Sequence, residues 1–440
     1  MHVTQRPLQT KRSKYGARAR ALRGGSIAKG TAWMTYAYGL GLVVQGAYFV
    51  LLARLLGAAG LGTFAGALAL ASAVAPFSGL GSGNLLLMHT ARDRQNFRTE
   101  LGTALVTIAV TGIGLTMVLA LLAETALHRT QLSGLIIPLA ASEVVFARIV
   151  DLSGQCFQAH ERYSVTANLS ILLSALRLIA IAAFGVVEAH RSASDWSLWY
   201  ACASAAAAAV GLALVVQRLD GPVFQHFSLR GRTASGIAFS IGTASKTIYA
   251  DIDKTMLTRL STSTSAGIYT AAYRVVAMAY APVLAFLYAS NARFFRVGVD
   301  GAFAVWRVVR RSWPILVIYS AVIGVVLLAA APIMPLILGR SFEPSASALR
   351  WLAALPIIMA SHSLLGDAMM GMGKQGLRSG VQLATAGLNV GLNFWLIPTM
   401  SWRGAAIASF ISESVLALVL WILLRRLVRL EPVPIASGST

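Results

Sequence analysis

Charge is what this 440-residue chain has least of: only 12% of its residues are Asp, Glu, Lys or Arg, about half of what a soluble globular chain carries. Acids are the scarcer sign, 16 against 37 basic residues, for a formal charge of +21. Two cysteines, Cys156 and Cys202, lie in apolar stretches and supply neither a disulfide framework nor a metal-ligand spacing. The sequence has no P-loop, no H-E-x-x-H and no nucleophile elbow, so nothing in it points to covalent catalysis or a cofactor. No DNA- or RNA-binding signature accompanies the positive charge, which argues against nucleic acid as a partner.

What the chain does have is apolar surface, 57% hydrophobic residues with a mean hydropathy of +0.69. Crossing a hydrocarbon core of about 30 Å takes roughly 20 helical residues. Runs of that length recur and predict twelve spans, at 31–53, 61–88, 101–123, 132–157, 165–187, 196–216, 236–260, 266–290, 313–338, 346–372, 378–397 and 404–424. The expected fold class is an all-α polytopic membrane protein, about 12 transmembrane helices in two six-helix lobes around a central cavity. The seventh span is the most polar, with Lys246, Asp251, Asp253 and Lys254.

The placement of charge reads as topology, because cytoplasmic loops hold excess Lys and Arg. The first 29 residues carry eight basic side chains and no acid. The apolar segment that follows is too long for a cleaved signal, so an uncleaved first helix with a cytoplasmic tail is expected. Twelve spans then put 25 basic residues on the cytoplasmic side and seven outside. If the seventh segment did not cross, the loop with Arg293, Arg296, Arg307, Arg310 and Arg311 would fall outside, and the bias in the second half would invert. The expected division is a basic N-terminal tail (1–30), an N-lobe (31–217), a cytoplasmic inter-lobe loop (218–235), a C-lobe (236–424) and a C-terminal tail (425–440), both termini being cytoplasmic.

A shift of 205 residues aligns Leu52, Arg54, Leu55, Gly62 and Ala67 with Leu257, Arg259, Leu260, Gly267 and Ala272, and Phe64 with Tyr269. Six spans per half would make the halves parallel repeats about an axis along the membrane normal, with a cavity between them.

Ionisable side chains inside spans are costly and normally face a bundle interior or a water-filled cavity. Six acids (Glu143, Asp151, Asp251, Asp253, Asp367, Glu413) and five bases (Arg148, Arg177, Lys246, Lys254, Arg274) are so placed. On the seventh span Ser240, Thr243, Thr247, Asp251, Lys254 and Thr258 fall within about 80° of arc, a stripe expected to face a lumen. Lys246 and Asp253 share another face. Arg148, Asp151, Gln155 and Gln158 repeat the pattern on the fourth span, where Arg148 and Asp151 at i, i+3 read equally well as a local ion pair. Gln382, Thr385, Asn389 and Asn393 line one side of the eleventh span, suited either to sugar hydroxyls or to bonds between helices. Arg177 and Arg274 have no acid at i±3 or i±4, and an unpaired guanidinium suits a phosphate or carboxylate. Arg54 and Arg259 read more simply as snorkelling anchors.

Several segments carry a resemblance. Leu52-Ala-Arg-Leu-Leu-Gly-Ala-Ala-Gly-Leu-Gly-Thr-Phe64 resembles the end of the first helix in Wzx-type polysaccharide (O-antigen or exopolysaccharide) flippases of the multidrug/oligosaccharidyl-lipid/polysaccharide exporter superfamily. Asp251-Ile-Asp-Lys followed by Ala266-Gly-Ile-Tyr-Thr-Ala-Ala-Tyr-Arg274 is similar to that family's seventh and eighth helices. Leu338-Gly-Arg-Ser-Phe-Glu-Pro and Leu392-Asn-Phe-Trp-Leu-Ile-Pro398 add to the likeness. The resemblance implies a flippase of the bacterial inner membrane that moves an undecaprenyl-diphosphate-linked oligosaccharide between leaflets. Its partners would be the lipid-linked glycan, the bilayer, and a polysaccharide polymerase with chain-length machinery. Candidate substrate contacts are Arg148, Arg177, Lys254, Arg274, Gln155, Gln382, Asn389 and Asn393, with Asp251 or Asp367 as candidate carriers of a coupling proton. A multidrug exporter of the same superfamily, a membrane enzyme of glycan assembly and a non-transporting scaffold are the competing readings.

Overall fold

The computed structural model describes residues 10–127, 130–224 and 233–430. The rest of the expected N-terminal tail (1–9), part of the inter-lobe loop (225–232) and the end of the C-terminal tail (431–440) lie outside the described residues, as do the side chains of 10–38 and of Lys246. The described backbone is almost wholly helical and contains no strand.

Twelve helical passes run in chain order. The first helical run, Thr10–Val74, is broken at Gly57 (φ 65°, ψ −178°), a conformation only glycine adopts freely, so it makes two passes. These are α1 (10–56) and α2 (58–92), the latter continuing through a 3-10 stretch, Ala75–Gly81, and Ser82–Arg92. Then come α3 (Phe97–Leu127), α4 (130–159, with a π-helical turn at Ala141–Phe146), α5 (Tyr163–Val187), α6 (Ala193–Leu219), α7 (Thr233–Leu260) and α8 (Ser263–Gly298). The last four are α9 (Ala302–Ala330, extended to Leu338), α10 (343–371, bent by 49° between Leu352 and Leu355), α11 (Gln375–Met400) and α12 (Trp402–Leu430).

By length and apolar composition seven helical runs, or eight with the bent α10, qualify as membrane spans on their own. The difference from twelve has physical causes. α1 and α2 follow each other without a loop at the Gly57 break and count as one run, α4 is divided by its π turn, and α7 and α11 are too polar to pass a hydropathy test. Those polar helices still form because a backbone in hydrocarbon must satisfy its own hydrogen bonds. Outward faces are apolar at helical spacing: Val110, Ile113, Met117 and Leu121 on α3, and Ile315, Ile318, Val322 and Val325 on α9, are all exposed, as a lipid-facing stripe requires.

The N-lobe (α1–α6) is centred on Trp196, which packs against Tyr48, Phe64, Phe184 and Tyr200. In the C-lobe (α7–α12) a second core joins Val305, Val309, Leu364, Leu365 and Leu420. Between the lobes α2 crosses α8 with backbones in direct contact. A Cβ on Gly62 would collide with the Ser263 carbonyl, and one on Gly267 with the Ala58 carbonyl. Ala58 and Ser263, like Gly62 and Gly267, are 205 residues apart, so the expected repeat is realised as a two-fold contact in which each partner does to the other what is done to it. Small residues four apart, Ala58 with Gly62 and Ser263 with Gly267, allow this approach. Nearby, Thr255 Oγ1 donates to Gly66 O at 2.7 Å and Arg54 Nε to Ile337 O at 2.7 Å. Arg54 thus reaches across to the C-lobe, where its sequence position suggested a snorkelling anchor. The lobes are sealed at this end.

Candidate functional site: a polar cleft between the lobes

Two adjoining cavities lie on the other side of this seal, the smaller bordered by both lobes and the larger almost wholly by the N-lobe, with Thr243 of α7 reaching it. One, of about 500 Å³, is lined by Gln45, Ser82, Asn84, Arg148, Asp151, Gln155, Gln158, Ser170 and Thr243 among others. The second, of about 410 Å³, is lined by Tyr48, Glu143, Tyr200, Asp251, Lys254, Tyr273 and Arg274 among others. Gln45, Ser174 and Arg177 border both. The first cavity extends to Gln158, at the end of α4 furthest from the sealed crossing.

The backbone breaks where it borders this space. Within α2, Gly79 (φ 73°), Leu80 (φ 45°) and Gly81 (φ 70°) are left-handed in succession, and the Gly79 N–H donates to Thr111 Oγ1 at 2.8 Å. Irregular backbone at membrane depth is tolerated where it lines a water-filled cavity or is buried in protein, and Ser78, Gly79, Gly81 and Ser82 all border the larger one.

The charges in the cleft are mostly paired. Arg177 Nη2 meets Glu143 Oε1 at 2.8 Å, and its guanidinium carbon lies 4.0 Å from the centre of the Tyr200 ring. Tyr200 donates its own hydroxyl to the same carboxylate oxygen at 2.8 Å, and Arg177 Nε donates to Ser204 at 3.2 Å. The expectation of an unpaired Arg177 is therefore corrected. Its acid lies on α4 rather than on its own helix, where a search at i±3 and i±4 cannot find it. Arg148 pairs with Asp151 at 3.1 Å, as the local ion-pair reading had it. Lys254 pairs with Asp251 and stands 4.7 Å from the Tyr273 ring centre.

Arg274 differs. It donates to Gln45 Oε1 at 3.1 Å, and among the described residues no carboxylate lies within ion-pair distance of it. It comes from α8 and faces Gln45 on α1, so this bond joins the two lobes across the cavity.

The other predicted positions are divided. Thr243, Asp251 and Lys254 of the α7 stripe border the cavities, while Thr258 turns to the α2 crossing and donates to Gly62 O at 3.3 Å. Arg148 and Gln155 line the larger cavity. The α11 stripe lines neither. Asn389 and Asn393 are buried; Asn389 donates to Ser412 of α12 at 3.3 Å and Asn393 to Asn389 at 2.9 Å. Asn389 thus binds α11 to α12, the alternative the spacing allowed, while the Asn393 bond stays within α11. Gln382 is half-buried and borders neither cavity. Asp367 sits in the C-lobe interior, 3.5 Å from Arg378. Gln45, Tyr48 and Tyr200 were not singled out from sequence, because single polar or aromatic residues on apolar helices leave no periodic signal. Among the described residues, no group of three His, Cys, Asp or Glu is arranged to hold a metal ion.

Residues 27–294 match the profile of the family described as polysaccharide biosynthesis protein. No curated protein matches the sequence. The fold is similar to that of an inward-facing multidrug resistance transporter of the MATE family in the MOP superfamily, with a TM-score of 0.66 at 15% identity, covering 89% of this chain and 94% of that one. The outward-facing conformation of such a transporter scores 0.61 at 15% identity, with 92% and 97% covered. A MOP superfamily transporter from Pyrococcus furiosus Vc1, described as having a binding pocket of reversed polarity, scores 0.61 at 16% identity, with 91% and 96% covered.

Proposed function

Because this chain belongs to the polysaccharide biosynthesis protein family, on a match covering more than half its length, we propose that it is a flippase for undecaprenyl-diphosphate-linked oligosaccharide repeat units in the bacterial inner membrane. The observation that carries the reading is Arg274, a cation in a polar cavity bordered by both lobes with an amide and, among the described residues, no acid for a partner. A guanidinium in this setting grips a diphosphate through paired, charge-assisted hydrogen bonds. Lys254 and Arg177 border the same cavity, and their carboxylate partners hold them in place while the anion is absent.

The amide and hydroxyl groups of Asn84, Gln155, Gln158, Ser170 and Thr243 suit the sugars. Each sugar hydroxyl left unsatisfied in hydrocarbon costs about 2 kcal/mol or more, so the glycan needs such a lining to cross. The polyprenyl tail stays in lipid. The lobes rock about the glycine crossing, with the N- and C-lobes as assigned from sequence and both termini cytoplasmic, so that the cleft faces each leaflet in turn. A polymerase and chain-length machinery would take up the delivered unit. No catalytic step is assigned to the protein.

A cation exporter is the second reading, since the solved structures of similar fold are multidrug transporters. The cleft carboxylates Glu143, Asp151 and Asp251 are each already held by an Arg or Lys, which leaves a cationic drug no free acid.

Arg274→Ala is expected to insert normally but abolish surface glycan, with lipid-linked repeat units accumulating in the inner leaflet. Normal glycan export by the double variant Arg177→Ala/Arg274→Ala, measured by surface polysaccharide staining, would sink the diphosphate clamp.

A further inference from the structure

Outside the cleft, a third group of polar side chains lies inside the C-lobe. His362 on α10 and Glu413 on α12 meet with Nε2 and Oε2 2.6 Å apart, their side chains 14% and 8% exposed. The Tyr249 hydroxyl of α7 is buried beside Glu413. Neither member of the pair borders either cavity.

A histidine as the cationic partner sets this group apart. Glu143, Asp151 and Asp367 are held by Arg177, Arg148 and Arg378, Asp251 is held by Lys254, and the buried Asp253 accepts from the Lys254 backbone N–H. Arginine does not release its proton in proteins, and a carboxylate beside it stays in one charge state. Histidine alone among side chains changes charge near neutrality without special tuning. The other histidine pair, His89 with Glu100, lies at the end of α2, beyond the apolar core, with His89 30% exposed.

We propose that His362 and Glu413 form a proton-binding site within the C-lobe, and that its occupancy couples a proton gradient to movement of the lobes. With one proton the pair is imidazolium and carboxylate, neutral overall. Loss of that proton leaves a single buried negative charge, and gain of a second, on Glu413, leaves a positive one. Either change alters the force on the groups around it. These are Tyr249 on α7, Tyr273 and Tyr280 on α8, and, one turn along α10, Asp367 with its partner Arg378 from α11. From α9 and α11 come the neutral contacts of Trp313 with Ser361 and Asn389 with Ser412. The Tyr273 ring lies under Lys254 at the wall of the cleft, which joins the proton site to the cavity through one side chain. Of the coupling candidates suggested by sequence, Asp367 is tied to Arg378 and Asp251 to Lys254. As a coupling device the site rests on the transporter reading above; as a proton-binding site it does not.

The test uses full-length protein in lipid vesicles with 13C-labelled histidine, the His362 signal being assigned by its disappearance in His362→Gln. The His362 signal is expected to shift with pH, and the midpoint of that shift to change in Glu413→Gln. No shift with pH, or the same midpoint in both proteins, overturns the site. If Glu413→Gln fails to insert, Tyr249→Phe, which keeps the ring packing, is expected to change the same midpoint, and an unchanged midpoint is then the refuting result. In a second measurement, flipping of a fluorescent lipid-linked oligosaccharide is followed with and without an imposed pH gradient. The ratio of the two rates is expected to fall to one in His362→Gln and Glu413→Gln; a ratio kept at the wild-type value overturns the coupling. A wild-type protein whose His362 titrates as expected but which flips no glycan would overturn the flippase reading and uphold the proton site.

Discussion

In the N-lobe, Glu143 is held 2.8 Å from Arg177, with Tyr200 bonded to the same carboxylate; in the C-lobe, Glu413 is held 2.6 Å from His362, with Tyr249 beside it. The two constellations share an acid, a cationic partner and a tyrosine, each taken from separate helices. They differ in whether the cation can let go of its proton. The N-lobe group has a permanent charge pattern and borders the cleft, whereas the C-lobe group can change its charge and is set apart from it. The backbones show the opposite relation, since the lobes meet through Gly62 and Gly267 in a contact that is nearly the same from either side. A scaffold of two like halves therefore carries unlike electrostatics, which is what a machine needs if one half is to hold a ligand while the other senses a gradient.

The sharpest way to break the symmetric part of this comparison is at the crossing. Gly62→Val and Gly267→Val each drive a side chain into the opposing backbone, and both are expected to abolish flipping, measured in vesicles. A silent result at one position with loss at the other would show that the contact is not two-fold in function.

The electrostatic part is tested by removing each acid in turn. Glu143→Gln strands the Arg177 guanidinium in the interior, and breaking a buried pair in this way costs about 3 to 5 kcal/mol. Glu413→Gln leaves an imidazole that can become neutral, so the loss is expected to be well under half of that. Thermal unfolding of the two variants in the same detergent should rank them so; equal losses would erase the distinction between the lobes.

The smallest effect is expected from Asn389→Ala, which gives up two bonds, to Ser412 and from Asn393, each worth about 0.6 kcal/mol in a membrane interior. Flipping should stay at the wild-type rate. Loss of transport with unchanged stability would return α11 to the cleft.

Much of the fold could be read from the chain. Hydropathy located most of the spans, and the polar α7 came out of the charge balance of its neighbours rather than its own composition. The 205-residue offset marked Gly62 and Gly267 as equivalent positions but not that they meet, and the small residues at 58, 62, 263 and 267 are the signal that could have predicted the contact. The site was legible only in part. The α7 stripe and the α4 positions pointed to the cleft because helical periodicity gathers residues of one helix on one face. The α11 stripe had the same periodicity and faces α12 instead, since spacing tells which residues share a face and not what that face meets.

The sequence by itself determined the solvent of this protein, its helical class and its repeat, because each depends on local composition or on regular spacing along the chain. Tertiary structure alone decided the partners of the buried charges. Arg177 finds its acid 34 residues away, Glu413 its histidine on another helix, and Arg274 no acid at all among the described residues, only an amide on the far lobe. In a bilayer interior an ionisable group is tolerated according to what stands against it, and that is a property of packed helices, not of any one of them.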